Sequence, residues 1–205
     1  MQEIKNLVLD LGGVLIDIDV SLTNKAFENL GIPHFQQYYT LAQASPLFEE
    51  LETGRIDKSA FYTALRALTN TLLSDTEIEQ AWNALLLHWR KESVDWLIAA
   101  RKKYKLVLFS NTNAVHYDCF QSYFTKQTNY LNFNDLFDSV WYSFQKNLRK
   151  PYVSSFRALM QEEGLAPSET LFIDDTLVNI EGAKEAGMKV CHLPATIRLE
   201  QLGLV

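Results

Sequence analysis

The sequence predicts an α/β protein, a parallel sheet with helices on both faces, interrupted by an all-helical insert. Short apolar runs alternate with amphipathic stretches that stop at glycine. The first run, Leu7-Val8-Leu9, carries no polar residue, as expected of a strand buried on both faces. A long stretch after it loses the alternation and reads as helix throughout.

In chain order, the predicted strands are Ile4–Leu9, Leu106–Phe109, Ser139–Ser143, Thr170–Ile173 and Lys189–Leu193. From about Ser21 to Trp89 no strand is expected. Ser21, Ser45 and Ser74 are candidate N-caps there, and Ser74 with Glu77 has capping-box spacing. Phe61, Leu65 and Leu68, then Ile78, Trp82, Leu85 and Leu86, recur at helical period. Trp82 and Trp89 fall seven apart on that pattern and read as core. A helix is expected over Ser93–Lys103, its last turn carrying Arg101-Lys102-Lys103 where cations complement the dipole. The helices at Val153–Glu163 and Val178–Ala186 stop at Gly164 and Gly187.

Composition bounds the function class. The 205 residues are 47% hydrophobic, enough for one sizeable core with a sub-domain insert. A formal charge of −6 argues against nucleic acid as a partner. There is no apolar run near membrane-spanning length and no sign of a secretory leader. Cys119 and Cys191 suggest no disulfide framework. A cytoplasmic protein is expected, with oligomeric state left open.

In open parallel sheets, ligands bind beyond the carboxyl ends of the strands. Residues predicted at that edge are Asp10, Ser110 with Asn111, Lys150, and Asp174 with Asp175. Each has an ordinary explanation when taken singly, as a turn residue, helix cap or loop lysine. Their joint arrival at one edge points to a site. His34, His88 and His192 have no metal-ligand spacing. His116, just past the Ser110–Asn113 turn, lies close enough in sequence to reach the edge.

The stretches LVLDLGGVLIDID (7–19), FSNTN (109–113), RKPYVSSF (149–156) and LFIDDTLVNIEGAKEAG (171–187) resemble the haloacid dehalogenase-like hydrolase superfamily. The set is closest to the branch of sugar-1-phosphatases and the amino-terminal domains of some epoxide hydrolases. The resemblance implies a Rossmann-like core of residues 1–16 and 96–205, with residues 17–95 as a helical cap domain. It implies a Mg²⁺-dependent phosphatase of a small phosphorylated metabolite, working through an aspartyl-phosphate on Asp10. Asp10, the Gly12 carbonyl, Asp174 and Asp175 would hold the cation. Lys150 and Ser110 would clamp the phosphate, and Gly12, Gly13 and Asn111 would line it.

One position departs from the superfamily. Its phosphatases carry DxD in the first motif, and the second aspartate serves as general acid and base. Here that position is Gly12. Asp17, Asp19 or a cap residue could supply the proton, or the leaving group could need little help. Alternatively, the protein binds phosphorylated ligands without robust turnover. A metal-independent dehalogenase is a further reading, opposed by the paired Asp174-Asp175.

Overall fold

The computed structural model describes residues 3–39 and 46–205. A parallel sheet of β1 (Asn6–Leu9), β4 (Lys105–Ser110), β5 (Ser139–Tyr142), β6 (Thr170–Asp174) and β7 (Lys189–His192) has the order β5-β4-β1-β6-β7. Register follows from burial on both faces. Val8 pairs with Val107 on one side and with Phe172 on the other. Leu7 and Leu9 join Leu106 and Leu108 in one core, against Leu97 of α5 (Lys91–Ala100) and Phe120 of α6 (Ala114–Gln127). Val8, Val107 and Phe172 point the other way, onto Phe156 of α8 (Val153–Glu163) and Ile180 of α9 (Leu177–Glu185). Alternate side chains thus serve opposite layers, which is why these strands read as unbroken apolar runs.

Between β1 and α5 the chain forms β2 (Ile16–Ile18), α1 (Val20–Asn29), α2 (Pro46–Glu52), α3 (Lys58–Thr69), α4 (Asp75–Asn83) and β3 (Leu86–Trp89). The helices close around their own core of Phe27, Phe35, Phe48, Phe61 and Trp82, all fully buried. Val115 of α6 completes it, so this helical segment is docked on the sheet domain. Gly54 makes the docking close. A Cβ there would run into the Phe144 carbonyl of α7 (Ser143–Lys146).

Some sequence expectations change. Leu86–Trp89 is a strand, antiparallel to Ile16–Ile18, although no strand was expected between Ser21 and Trp89. Its apolar run continues the helical spacing of α4, and only its distant partner β2 selects the extended form. Trp89 therefore leaves the helical stripe of Trp82, though both are core: Trp89 packs on Phe124 and Phe133. Asp19, not Ser21, caps α1, accepting from the Ser21 N–H at 2.9 Å. Ser45 lies outside the described residues. Ser74 and Glu77 form the expected capping box. The helix expected from Ser93 starts at Lys91 and ends at Ala100, so the basic triplet lies just past its last turn. Among the described residues, no helix is long and apolar enough to cross a membrane.

Candidate active site

Parallel strands bring β1, β4 and β6 to the same edge, where the loops after them converge. Lys150 sits at the centre, 1% exposed, with Nζ 2.7 Å from Asp10 Oδ1 and 2.7 Å from Asp174 Oδ2. Asp10, Asp174 and Asp175 each offer a carboxylate oxygen within 4.8 Å of the others. The three carboxylates exceed one lysine by two charges, a surplus suited to one divalent cation. Electrostatics show the same excess. Burial above all raises Asp10 to about 7, with Lys150 opposing and the charges of Asp174 and Asp175 adding. Burial also works against the Lys150 ammonium, but Asp10 and Asp174 outweigh it and raise its pKa.

The two paired aspartates have different surroundings. Asp174 accepts from Lys150, from the Thr176 N–H at 2.8 Å, and from Asn179 Nδ2 at 3.1 Å on both oxygens. Asp175 is half-buried and accepts from the Thr176 hydroxyl at 3.1 Å. Asp174 therefore chiefly orients Lys150, and Asp175 keeps capacity for a ligand. Gly13, at φ +73°, permits this closure: any Cβ there would collide with the Asp175 carboxylate. Asn111 spends its amide on the backbone of Lys150, donating to its carbonyl and accepting from its N–H, both at 2.9 Å. It braces the lysine and also lines the cavity over Asp10. Ser110, 2% exposed, closes β4.

A cavity of about 250 Å³ opens over Asp10, Gly12, Lys150 and Asp175. Its outer wall holds residues that sequence reasoning missed. Glu52, from α2, accepts from Arg149 Nε at 2.7 Å and from the Tyr39 hydroxyl at 3.4 Å. Burial pushes the Glu52 carboxyl up, against the opposing Arg149. A sequence signal existed, since Glu52 shares a helix face with Phe48 and Leu51 and is buried with them. Nothing local announced its partner, 97 residues away.

The two aspartates considered for the missing acid, Asp17 and Asp19, are placed elsewhere. Asp17 accepts from Arg90 Nε at 2.8 Å and Arg198 Nη1 at 3.0 Å. Burial opposes them, yet these bonds hold its carboxyl below the ordinary range. Asp19 caps α1. At Gly12 itself, Ile18 Cδ1 lies 3.1 Å from where a Cβ would stand.

The sequence matches the haloacid dehalogenase-like hydrolase family over residues 4–187. It is 31% identical over 188 residues to a D-ribitol-5-phosphate phosphatase of Bacteroides thetaiotaomicron, covering 91% of this chain and 90% of that protein. A HAD family enzyme of the same organism, solved in complex with magnesium and inorganic phosphate, matches with a TM-score of 0.88 at 30% identity. That match covers 98% of this chain and 99% of the other. A HAD-like hydrolase from Porphyromonas gingivalis matches with a TM-score of 0.84 at 29% identity, covering 94% and 92%. With the family's match spanning nearly the whole sequence and the aspartate–lysine cluster at its sheet edge, the chain belongs to the haloacid dehalogenase-like hydrolases.

Proposed function

We propose that the protein is a cytoplasmic, Mg²⁺-dependent phosphatase of a small sugar or polyol phosphate, acting through an aspartyl-phosphate on Asp10. One observation carries this reading: a buried lysine pairs with two aspartates, and a third carboxylate lies within reach of the same point. The donor set fits the metal, since Mg²⁺ prefers a few carboxylates, a carbonyl and waters. Asp10, Asp175 and the Gly12 carbonyl would hold it, with Asp174 behind. Bound there, the cation would offset the repulsion between Asp10 and a phosphate dianion.

The chain's own groups divide the remaining work. The Asp10 carboxylate attacks phosphorus, the ester oxygen leaves, and water then hydrolyses the acyl phosphate, so one difficult displacement becomes two easier ones. Lys150 lies against Asp10 and offsets the charge that develops on the transferring group. Ser110 adds a hydrogen bond to the phosphate from its hydroxyl, the first-turn amides of Val115 and His116 being taken by the Asn113 side chain. Residues 17–95 act as the cap, screening the reaction from water and carrying Glu52 and Tyr39 to the leaving-group side. The two relatives named for ribitol phosphate hydrolysis and for bound phosphate support the same class of substrate.

The testing experiment is a screen of phosphate esters with and without Mg²⁺. Hydrolysis should fall at least a hundredfold in EDTA and return with Mg²⁺. Full activity in a metal-free preparation overturns the mechanism and revives the dehalogenase.

Gly12 keeps a second reading in view, a phosphate-binding regulatory module with little turnover. Both readings are separated by the leaving group. With Asp17 and Asp19 engaged elsewhere, no aspartate near the first motif is placed to protonate the departing oxygen. General acid help is worth about 10²–10⁴-fold. Turnover should therefore rise steeply with leaving-group acidity, so that sugar 1-phosphates and aryl or acyl phosphates exceed sugar 6-phosphates. Gly12→Asp should help the poorest leaving groups most. Its backbone is not left-handed, and the close neighbour, Ile18 Cδ1, is the end of a flexible side chain. A flat dependence on acidity would show that another group already donates the proton.

A further inference from the structure

The mechanism above uses no histidine, and three of the four have other surroundings. His34 and His88 are exposed. His116, close to the sheet edge in sequence, is buried against Trp82, and its Nδ1 lies 2.8 Å from Asn83 Oδ1. His192 is placed differently. It is the last residue of β7, in register with Asp174 of β6. Its Nε2 lies 2.9 Å from the backbone carbonyl oxygen of Asp175, just past the end of β6. A carbonyl oxygen only accepts, so Nε2 carries the proton.

That hydrogen bond falls on one particular peptide unit. The Asp175 carbonyl and the Thr176 N–H belong to the same rigid plane. His192 holds the oxygen, and at the other end the Thr176 N–H donates to Asp174 Oδ1 at 2.8 Å. One residue earlier the main chain is tied as well, where the Leu193 N–H donates to the Asp174 carbonyl at 2.9 Å. The backbone of the paired aspartates is thus anchored from the end of β7, once by a backbone amide and once by a side chain. In front, the Asp175 carboxylate accepts from the Thr176 hydroxyl and lies against the Gly13 backbone. A turn of the peptide plane would draw the Thr176 amide off Asp174 and carry the Asp175 side chain away from Gly13. Without a donor at its oxygen, that plane has reason to turn, since a part-buried carbonyl seeks another partner.

We infer that His192 is a positioning residue of this site, fixing through the Asp175–Thr176 peptide plane the direction in which Asp175 presents its carboxylate to a divalent cation. The inference rests on the Mg²⁺ reading of the site and adds a residue behind the carboxylates. Among the described residues, Asp10, Asp174 and Asp175 form the cluster within reach of a cation, and His192 acts on it only through the main chain. Hydrogen bonds behind a metal site orient the groups that hold the metal, and removing one typically costs about 10–100-fold in metal affinity.

The experiment titrates Mg²⁺ alone into wild type, His192→Gln and His192→Phe, reading binding by calorimetry and the Tm of each metal-free protein. Glutamine brings an amide N–H to roughly the place of Nε2, whereas phenylalanine keeps a ring and removes the donor. His192→Phe should weaken Mg²⁺ binding about 10–100-fold, and His192→Gln should stay within about threefold of wild type. A histidine that merely packs would lower the metal-free Tm on substitution and leave the Kd for Mg²⁺ where it was. That result, or equal weakening by both substitutions, overturns the inference and leaves the phosphatase intact. If the phenylalanine variant does not fold, the glutamine Kd and the imidazole ¹H–¹⁵N spectrum of wild type decide the matter. Retained affinity with the His192 proton on Nε2 supports the inference, and lost affinity or an unprotonated Nε2 overturns it. No Mg²⁺ binding by wild type, together with no Mg²⁺-dependent hydrolysis of p-nitrophenyl phosphate, overturns the proposed function and this inference with it.

Discussion

Asp10→Asn should lower turnover by roughly 10⁴–10⁶-fold, the range seen when a covalent nucleophile is removed. The substitution keeps the shape of the side chain and removes its charge. An amide oxygen cannot attack phosphorus usefully, and any residual rate would come from the phosphate clamp acting on water. The same change should leave the fold at least as stable as before. Asp10 shares a buried site with Asp174 and Asp175, and its carboxyl resists ionisation there. Removing one anion leaves the Lys150–Asp174 pair at 2.7 Å intact and relieves like-charge repulsion. Loss of activity together with an unchanged or raised Tm separates a lost nucleophile from a damaged fold. Near-normal turnover would remove Asp10 from the mechanism.

The sheet strands were legible because each is an apolar run buried on both faces. Leu7-Val8-Leu9 and Val107 read as strand from their own composition, and their ends fall within two residues of expectation. The Ser74–Glu77 cap was equally local, with both hydrogen bonds made inside one turn. The non-local features were not legible. Leu86–Trp89 is extended only because β2 lies beside it. Asp19 and Ser21 are both good cap residues two positions apart, and spacing alone does not choose between them. For the site, the sequence brought Asp10, Lys150, Asp174 and Asp175 to one sheet edge, and in the fold they meet there. The pairings of Asn111 and Asp17 were not legible, because each is set by a partner distant in sequence: the Lys150 backbone for one, Arg90 and Arg198 for the other. Glu52 and Arg149 make the same point more sharply, since the acid is borne by α2 and the base by the Lys150 loop.

Lys150→Met should damage stability and catalysis together, and Mg²⁺ should restore part of the first and little of the second. The ammonium is almost fully enclosed and is a 2.7 Å partner of both Asp10 and Asp174. Methionine nearly fills its volume, so a cavity contributes little. What remains is a pair of buried carboxylates without their counter-charge, a defect that typically costs about 3–5 kcal/mol. For a chain of this length that is a fall in Tm on the order of 10 °C. A cation bound by Asp10 and Asp175 returns some of the missing charge, and at a hundredfold excess over Kd such binding stabilises by about 2.7 kcal/mol. Turnover should still fall by about 10²–10³-fold, because the ammonium no longer offsets charge on the transferring phosphoryl. A double substitution locates the cause. With Asp10→Asn already in place, only Asp174 loses its counter-charge, so Lys150→Met should cost less there than in wild type. An equal cost in both backgrounds would mean that the lysine acts through packing alone, and the charge balance of this site would have to be drawn differently.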